Sequence, residues 1–302
     1  MSSASGEGQR LPPRRRPAAE GANPTLRQRE LGLRLRDLRI GRGLTVEDVG
    51  EQLECSATKI SRLETAARRA NPRDVRDLCQ IYGVTDQAEI DELMDLARLG
   101  RQPGWWTQYS DLKLSPFIGL EQEATAITSF SLYYVPPLLQ TADYARAIIK
   151  GIVPHIEPSI LHERVEARIR RQQLLEKEAR PRYRALLDEA VLHRLVGGPA
   201  VMAAQLDKIL KHQEDQTAAI QVIPFTIGAH SGADSNFDFL EFEESSVQGP
   251  VVFVEGLFSN LYQERPAEIR RYREAIDQLR DASLSLRDSM LLISQIRRTL
   301  IN

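Results

Sequence analysis

Cysteine is nearly absent from this chain. Cys55 and Cys79 are the only two in 302 residues, too few for a disulfide framework and in keeping with a reducing cytoplasm. Long apolar runs are missing too. Nothing approaches the roughly 20 residues that a membrane span needs, and the N-terminus lacks a signal-peptide core. The expectation is a cytoplasmic protein without a membrane partner. The five histidines, His155, His162, His193, His212 and His230, are scattered. No His or Cys pair has metal-ligand spacing, and there is no glycine-rich phosphate loop and no nucleophile elbow. We therefore expect no metal, no cofactor and no enzyme. Strong charge of one sign is also lacking: 40 Lys and Arg stand against 42 Asp and Glu, a net charge of −2. Any affinity for nucleic acid must come from local charge.

What is present is an ordinary globular composition, 42% hydrophobic and 27% charged, with length enough for two domains. The most informative stretch is Leu44 to Glu64. Thr45 is a helix N-cap followed by the acidic first turn Glu47-Asp48. Val46, Val49 and Leu53 share a helical face, and Gly50 sits where a second helix can approach closely. After the break at Glu54-Cys55, Ser56 caps a second helix that buries Ile60 and Leu63. Two short helices joined by a tight turn are a helix-turn-helix.

The outer face of the second helix carries Ala57, Thr58, Lys59, Ser61 and Arg62. Arginine can grip guanine O6 and N7 with two hydrogen bonds, threonine offers a hydroxyl or a methyl, and Ala57 can pack on a thymine methyl. Lys59 and Ser61 are placed for phosphates, and Arg68, Arg69, Arg73 and Arg76 follow with few acids among them. The plainer alternative is a solvated helix pair. The agreement of caps, apolar spacing and cationic face favours DNA.

This stretch resembles the phage-repressor-like (XRE) helix-turn-helix family at Leu44, Thr45, Glu47, Val49, Leu53, Ser56, Ile60, Ser61 and Glu64. It departs from that family's pattern at Val46, where a phosphate-binding Gln is usual, at Glu54, where Gly often makes the turn, and at Thr65-Ala66, where Gly usually follows the second helix. The resemblance implies a lambda-repressor-like bundle that binds a double-stranded operator, with Thr45, Ser56, Ala57, Thr58, Lys59, Ser61, Arg62, Arg68, Arg69 and Arg73 as its DNA-facing residues.

Along the chain, residues 1–24 read as a disordered tail containing Arg14-Arg15-Arg16. Five helices fill 25–100, opening at Thr25, Thr45, Ser56, Asn71 and Asp86. Residues 101–106 are a linker whose Trp105-Trp106 pair either anchors a seam or lines a pocket. Residues 107–302 are expected to hold helices at 121–131, 142–151, 157–177, 189–196, 199–213, 266–282 and 286–300. Strands are expected at 182–188, 219–224, 237–242 and 251–255, with a weaker one at 258–262, and 135–141 as an extended lead-in. The fold class is multidomain, α plus α/β (or α+β): a helical bundle, then a mixed domain with a small sheet flanked by helices.

Several pieces of this second half together look like the C-terminal domain of a large group of actinobacterial regulators, WhiJ-like in layout. They are Trp105-Trp106, Glu121-x-Glu-Ala, Val-Pro-x-Leu-Leu-Gln-Thr-x-x-Tyr-Ala-Arg-Ala (135–147), Arg168-x-x-Arg-Gln-x-x-Leu (168–175), Asp188-Glu-Ala-x-Leu, Gln205-Leu, Gln221-Val-Ile-Pro-Phe and Phe253-Val-Glu. Pro137 stands where the group usually has Gly. The resemblance implies a second domain of no settled biochemistry and a small partner protein encoded nearby.

Arg164, Arg168 and Arg171 share a helical face beside Gln172. They can hold a phosphate or carboxylate effector, or form a solvated face paired with Glu163, Glu166 and Glu178. Trp105 and Trp106 join them as candidates for effector or partner binding. Asp188-Glu189 suits a helix N-terminus better than catalysis. The 230–236 loop either closes over a ligand or simply connects, and Cys55 is a small packed filler. The reading is a homodimeric, sequence-specific DNA-binding regulator whose second domain senses a small molecule or a small partner protein. Its rivals are an antitoxin-like, autoregulated partner-binding protein and an enzyme with a DNA-targeting head.

Overall fold

The computed structural model describes residues 24–109, 115–243, 248–256 and 260–300. The tail reading for 1–24 lies outside these apart from Pro24, which opens the first helix. That helix, α1 (Pro24–Gly41), is followed by α2 (Val46–Gln52), α3 (Ala57–Glu64), α4 (Pro72–Ile81) and α5 (Gln87–Leu99). The caps are those the sequence predicts. The hydroxyls of Thr45 and Ser56 and the side-chain oxygens of Asn71 and Asp86 each accept a first-turn N–H. Leu31, Leu35, Val49, Ile60, Leu63, Val75, Leu78 and Leu93 form one buried cluster, and each such burial contributes about 1.5–3 kcal/mol.

Two bends in this bundle are unusual. Glu54 has φ 48° and Ala66 has φ 56°, and these are the two places where the resembled family has Gly. The chain makes left-handed turns there with side chains that disfavour them. Gly50 does what its position predicts: a Cβ there would stand 2.9 Å from the Cys55 carbonyl oxygen, so α2 and the start of α3 meet backbone to backbone.

The second half runs α6 (Ser115–Glu123), β1 (Ala126–Ser131), α7 (Ala142–Ile152), α8 (Pro158–Gln172), β2 (Arg182–Asp188), α9 (Ala190–His193), α10 (Pro199–Glu214), β3 (Ala219–Ile223), β4 (Phe237–Glu241), β5 (Val251–Glu255), β6 (Asn260–Gln263), α11 (Pro266–Ala282) and α12 (Leu286–Thr299). The strands form one sheet in the order β3-β2-β1-β4-β5-β6. β1, β2 and β3 are parallel; β4, β5 and β6 join antiparallel. One face carries Ile127, Tyr183, Leu187, Val222 and Phe253 into a core shared with α6, α7, α10 and α12. The other carries Phe130, Leu186, Phe237, Phe239 and Val252, and the buried helix residues packed on it, Ile269, Ile276 and Leu279, all belong to α11.

Four sequence expectations are corrected. Residues 121–131 are not one helix: α6 ends at Glu123 and β1 begins at Ala126. The spacing of Leu120, Ala124 and Ile127 fits a helix, but Ile127, Thr128 and Phe130 also suit a strand, and pairing with β2 and β4 on both sides decides it. The long helix stops at Gln172 and tightens into a 3-10 turn, Gln173–Glu176, which buries both Leu174 and Leu175. The 189–196 helix shrinks to the single turn of α9. The 135–141 lead-in contains a 3-10 turn, Pro137–Leu139. Pro137 opens that turn, where a fixed negative φ is suited, so no left-handed residue is needed there.

If Glu54 and Ala66 are strained, Glu54→Gly and Ala66→Gly should each raise the stability of the helical bundle. The expected gain is about 0.5–1 kcal/mol, the left-handed penalty less the entropy of glycine. Urea denaturation followed by circular dichroism tests this; a loss of stability in both variants contradicts it.

Candidate nucleic-acid interface

On α3, Thr58, Ser61 and Arg62 are exposed, while Ala57 is half-buried. Lys59 is not free for a phosphate as the sequence suggested. Its Nζ lies 3.1 Å from Asp74 Oδ2, tying α3 to α4. Glu64 is buried and takes Nε and Nη2 of Arg39 at 2.6 and 2.9 Å. The fork holds α1 against α3, and Arg39 Nη1 also donates to the Leu44 carbonyl at 2.7 Å. Hydrogen bonding to Glu64 raises the Arg39 pKa further.

Glu64 and Asp74 are thus neutralised internally. Arg62, Arg68, Arg69, Arg73 and Arg76 are exposed, and none has a carboxylate within ion-pair reach among the described residues. The closest restraint is a 3.5 Å contact from Arg69 to the Arg101 carbonyl. A face of cations without local acids is what phosphate backbones require. Thr45 and Ser56 are exposed caps. Their oxygens accept from Asp48 N and Lys59 N. The Ser56 O–H is left able to donate to phosphate, whereas the Thr45 side chain also meets the Asp48 carboxylate, whose pKa is lowered by the Thr45 backbone N–H and then by that side chain. Sequence reasoning missed Arg39, although it continues the Leu31, Leu35 spacing of four into the bundle.

The α8 arginines do not form the outward face that the sequence suggested, nor a solvated one. Arg171 is 5% exposed and Glu121 2% exposed. They pair through two hydrogen bonds, Nε to Oε2 at 2.8 Å and Nη2 to Oε1 at 2.6 Å. Gln172 is equally internal: its Nε2 donates to the carbonyls of Pro137 and Gln140, both at 2.8 Å. Arg168 Nη1 donates to Gln140 Oε1 at 3.0 Å. Burial, then the neighbouring Arg171, lowers the Arg168 pKa to about 10. Arg164 is half-buried. Gln205 completes the arrangement, with Nε2 donating to the Leu139 carbonyl and Oε1 accepting from Thr141 N. Lys208 Nζ reaches the Gln140 carbonyl and Gln172 Oε1. The separate motifs at 121, 135–147, 168–175 and 205 therefore meet around one turn of chain.

Trp105 and Trp106 lie against α6 and α8. Trp106 is buried, the two rings meet edge-on at 5.9 Å, and the Arg170 guanidinium lies 4.7 Å from the Trp105 ring centre. Tyr109 donates to Glu166 at 3.1 Å, so the linker lies along α8. Asp188 caps α9 by accepting from Ala190 N at 2.8 Å. The structure also brings His230 Nε2 within 3.2 Å of Asp188 Oδ2. His230 Nδ1 accepts from Gly232 N, which leaves neither ring nitrogen free to act as a base. The 230–236 loop is pinned further by Asn236 to Leu132 N and by Ser231 to the Ala275 carbonyl, making it a connection rather than a lid. Cys55 is half-buried against the bundle core. No three His, Cys, Asp or Glu among the described residues could hold a metal ion.

One internal acid stands out. Tyr183 donates to Ser129 Oγ at 3.0 Å, and Ser129 donates to Asp238 Oδ1. No cation pairs with Asp238 among the described residues, and burial first of all pushes its pKa up to about 6.

The fold and this face define a DNA-binding protein of transcription regulation. Residues 30–93 match a helix-turn-helix domain. Residues 114–295, more than half of the chain, match the domain of unknown function DUF5753, and the chain belongs to that family. No curated protein and no solved structure matches it. Among the described residues no helix is long and apolar enough to cross a membrane.

Two outcomes follow from the interior. Arg171→Met should cost about 3–5 kcal/mol, because Glu121 is left as an unpaired buried charge, and adding Glu121→Leu should recover most of that loss. Equal losses in the single and double variants would deny that the ion pair is the cause. The Asp238 pKa is raised above its unfolded value, so its stabilising contribution is full below about pH 4 and is lost as pH rises through about 6. Asp238→Asn should therefore be more stable than the native chain at pH 8, by about 1–2 kcal/mol, and should flatten the decline between pH 5 and 7.5. Parallel pH profiles for the two proteins would contradict this.

Proposed function

We propose that the chain is a cytoplasmic, sequence-specific transcriptional regulator of the XRE type, belonging with the actinobacterial WhiJ-like group. It binds its operator as a homodimer. One eight-residue recognition helix reaches few base edges, and two half-sites multiply the discrimination. The observation that carries the reading is the exposed α3 face of Thr58, Ser61 and Arg62, followed by four further exposed arginines, with Glu64 and Asp74 paired elsewhere. Arg62 reads a base, and Arg68, Arg69 and Arg73 neutralise phosphates.

The C-terminal half binds a small-molecule effector or a small partner protein without turning it over. Its interior polar groups are committed to one another, and its Asp188–His230 pair is closed by backbone contacts. Effector binding then changes the availability of the two DNA-binding heads.

An operator selected from randomised duplexes tests the DNA reading. Arg62→Ala should lose roughly 1–3 kcal/mol on that operator and relax base choice at one position per half-site. Arg69→Ala should weaken all duplexes alike and reduce the slope of log K against log salt by about 1. Unchanged base preference in the first variant removes Arg62 from readout. An unchanged slope in the second turns that arginine away from DNA.

A further inference from the structure

α11 is the helix that covers the second face of the six-stranded sheet, and it leaves the N-terminal ends of β1, β2 and β3 open. The opening is a groove of about 630 Å³, within the range of small-molecule sites. Five arginines line it: Arg180, Arg182 and Arg184 at the start of β2, and Arg273 and Arg280 on α11. Arg182 and Arg184 are two apart on a strand and so share a face. Arg273 and Arg280 are two helical turns apart and so share one as well. Among the described residues two carboxylates join the lining, and each already serves a helix arginine: Glu241 lies 3.1 Å from Arg273, and Asp277 lies 3.5 Å from Arg280.

The three β2 arginines have no carboxylate within ion-pair reach among the described residues. Arg184 is half-buried, and its Nη1 donates to an uncharged partner, Gln221 Oε1, at 2.6 Å. Burial, and then the nearby Arg280, lower the Arg184 pKa. Like charges gathered in a partly desolvated groove are unfavourable until an anion joins them, and planar guanidinium forks suit oxyanions. Phe239, Ile276 and Pro181 supply an apolar floor for the rest of a ligand.

We infer that this groove, rather than the α8 arginine row, is the ligand site of the C-terminal half, and that it takes a small molecule bearing two or more anionic groups, as a phosphoanhydride or a polycarboxylate. The inference rests on the ligand-sensing reading above, and its test separates the two.

The full chain is titrated calorimetrically with inorganic pyrophosphate and, separately, with citrate, at ionic strength fixed by chloride. Saturable binding of either is expected, and which one binds more tightly tells phosphate from carboxylate recognition. Arg180→Ala with Arg182→Ala, both at exposed positions, should weaken it at least tenfold, and Arg184→Gln should weaken it as well. Arg69→Ala should leave it unchanged. No saturable binding of either anion, binding indifferent to the β2 variants, or binding abolished by Arg69→Ala overturns the inference. Operator affinity is measured in the same samples. Groove binding that leaves operator affinity unaltered upholds the site and overturns the sensing reading instead.

Discussion

The C-terminal half depends on a charge pair sealed inside it. Glu121 and Arg171 leave water together, which is costly unless the geometry is good and the remaining donors are occupied. Here the fork is bidentate. The next residue, Gln172, donates to the carbonyls of Pro137, at the start of the 3-10 turn, and Gln140, just after it. A 3-10 turn of three residues leaves most of its backbone groups unpaired. Gln172 from α8 and Gln205 and Lys208 from α10 pair carbonyls of this turn and its end, while Gln140 and Tyr144 pair the carbonyl and N–H of Val135 just before it. An apolar core can absorb small errors of register. This network cannot, because each displaced amide leaves another buried group unmet. It therefore fixes how α7, α8 and α10 sit on the first face of the sheet.

The same accounting separates what the sequence made legible from what it hid. Caps and breaks were readable because each acts within four residues: Thr45, Ser56, Asn71 and Asp86 do as predicted. Most strands were readable because short runs of apolar, aromatic or β-branched residues lay between turn residues, and Arg182–Asp188, Val251–Glu255 and the helix α11 fall where expected. β1 was not. Its residues satisfy both helical and strand periods, and only its two neighbours, one parallel and one antiparallel, settle the choice. The exposed face of α3 was legible from local spacing. The partners of its charges were not, since Lys59 meets Asp74 and Glu64 meets Arg39 across 15 and 25 residues of chain. The α8 arginines show the limit most clearly. Their shared face was correct, but sequence offered only solvent or a ligand as company, and the fold supplied Glu121 and Gln140.

The groove arginines went unnoticed for a related reason. Arg180, Arg182 and Arg184 are an ordinary alternation at a strand start, and Arg273 and Arg280 belong to an ordinary charged helix. Their convergence depends on α11 lying across the parallel half of the sheet, a consequence of topology alone. The first face receives α7 and α10 from the connections between the parallel strands, and α6 before β1 and α12 at the end of the fold pack beside them. The second face receives the helix that follows the antiparallel meander, and one helix is too narrow to cover six strands.

Placement also links the two candidate surfaces. The helix that lines the groove, α11, follows directly from Glu264, whose Oε1 lies 2.7 Å from Arg29 on α1. The Arg29 guanidinium also stands 5.7 Å from the Tyr262 ring centre. α1 packs against α6, which carries Glu121, and through Arg39 it holds Glu64 at the end of α3. Groove, α11, α1 and recognition helix are thus contiguous. Contiguity is not coupling, which needs two arrangements of the joint that ligand and DNA favour differently. Glu264 is 44% exposed at its side chain, and an ion pair in that setting contributes at most about 1 kcal/mol. The Arg39–Glu64 fork inside the head is buried and far costlier to break. A rearrangement that remakes Arg29–Glu264 while leaving Arg39–Glu64 intact moves the head as a unit, which keeps the recognition face in shape while changing where it points.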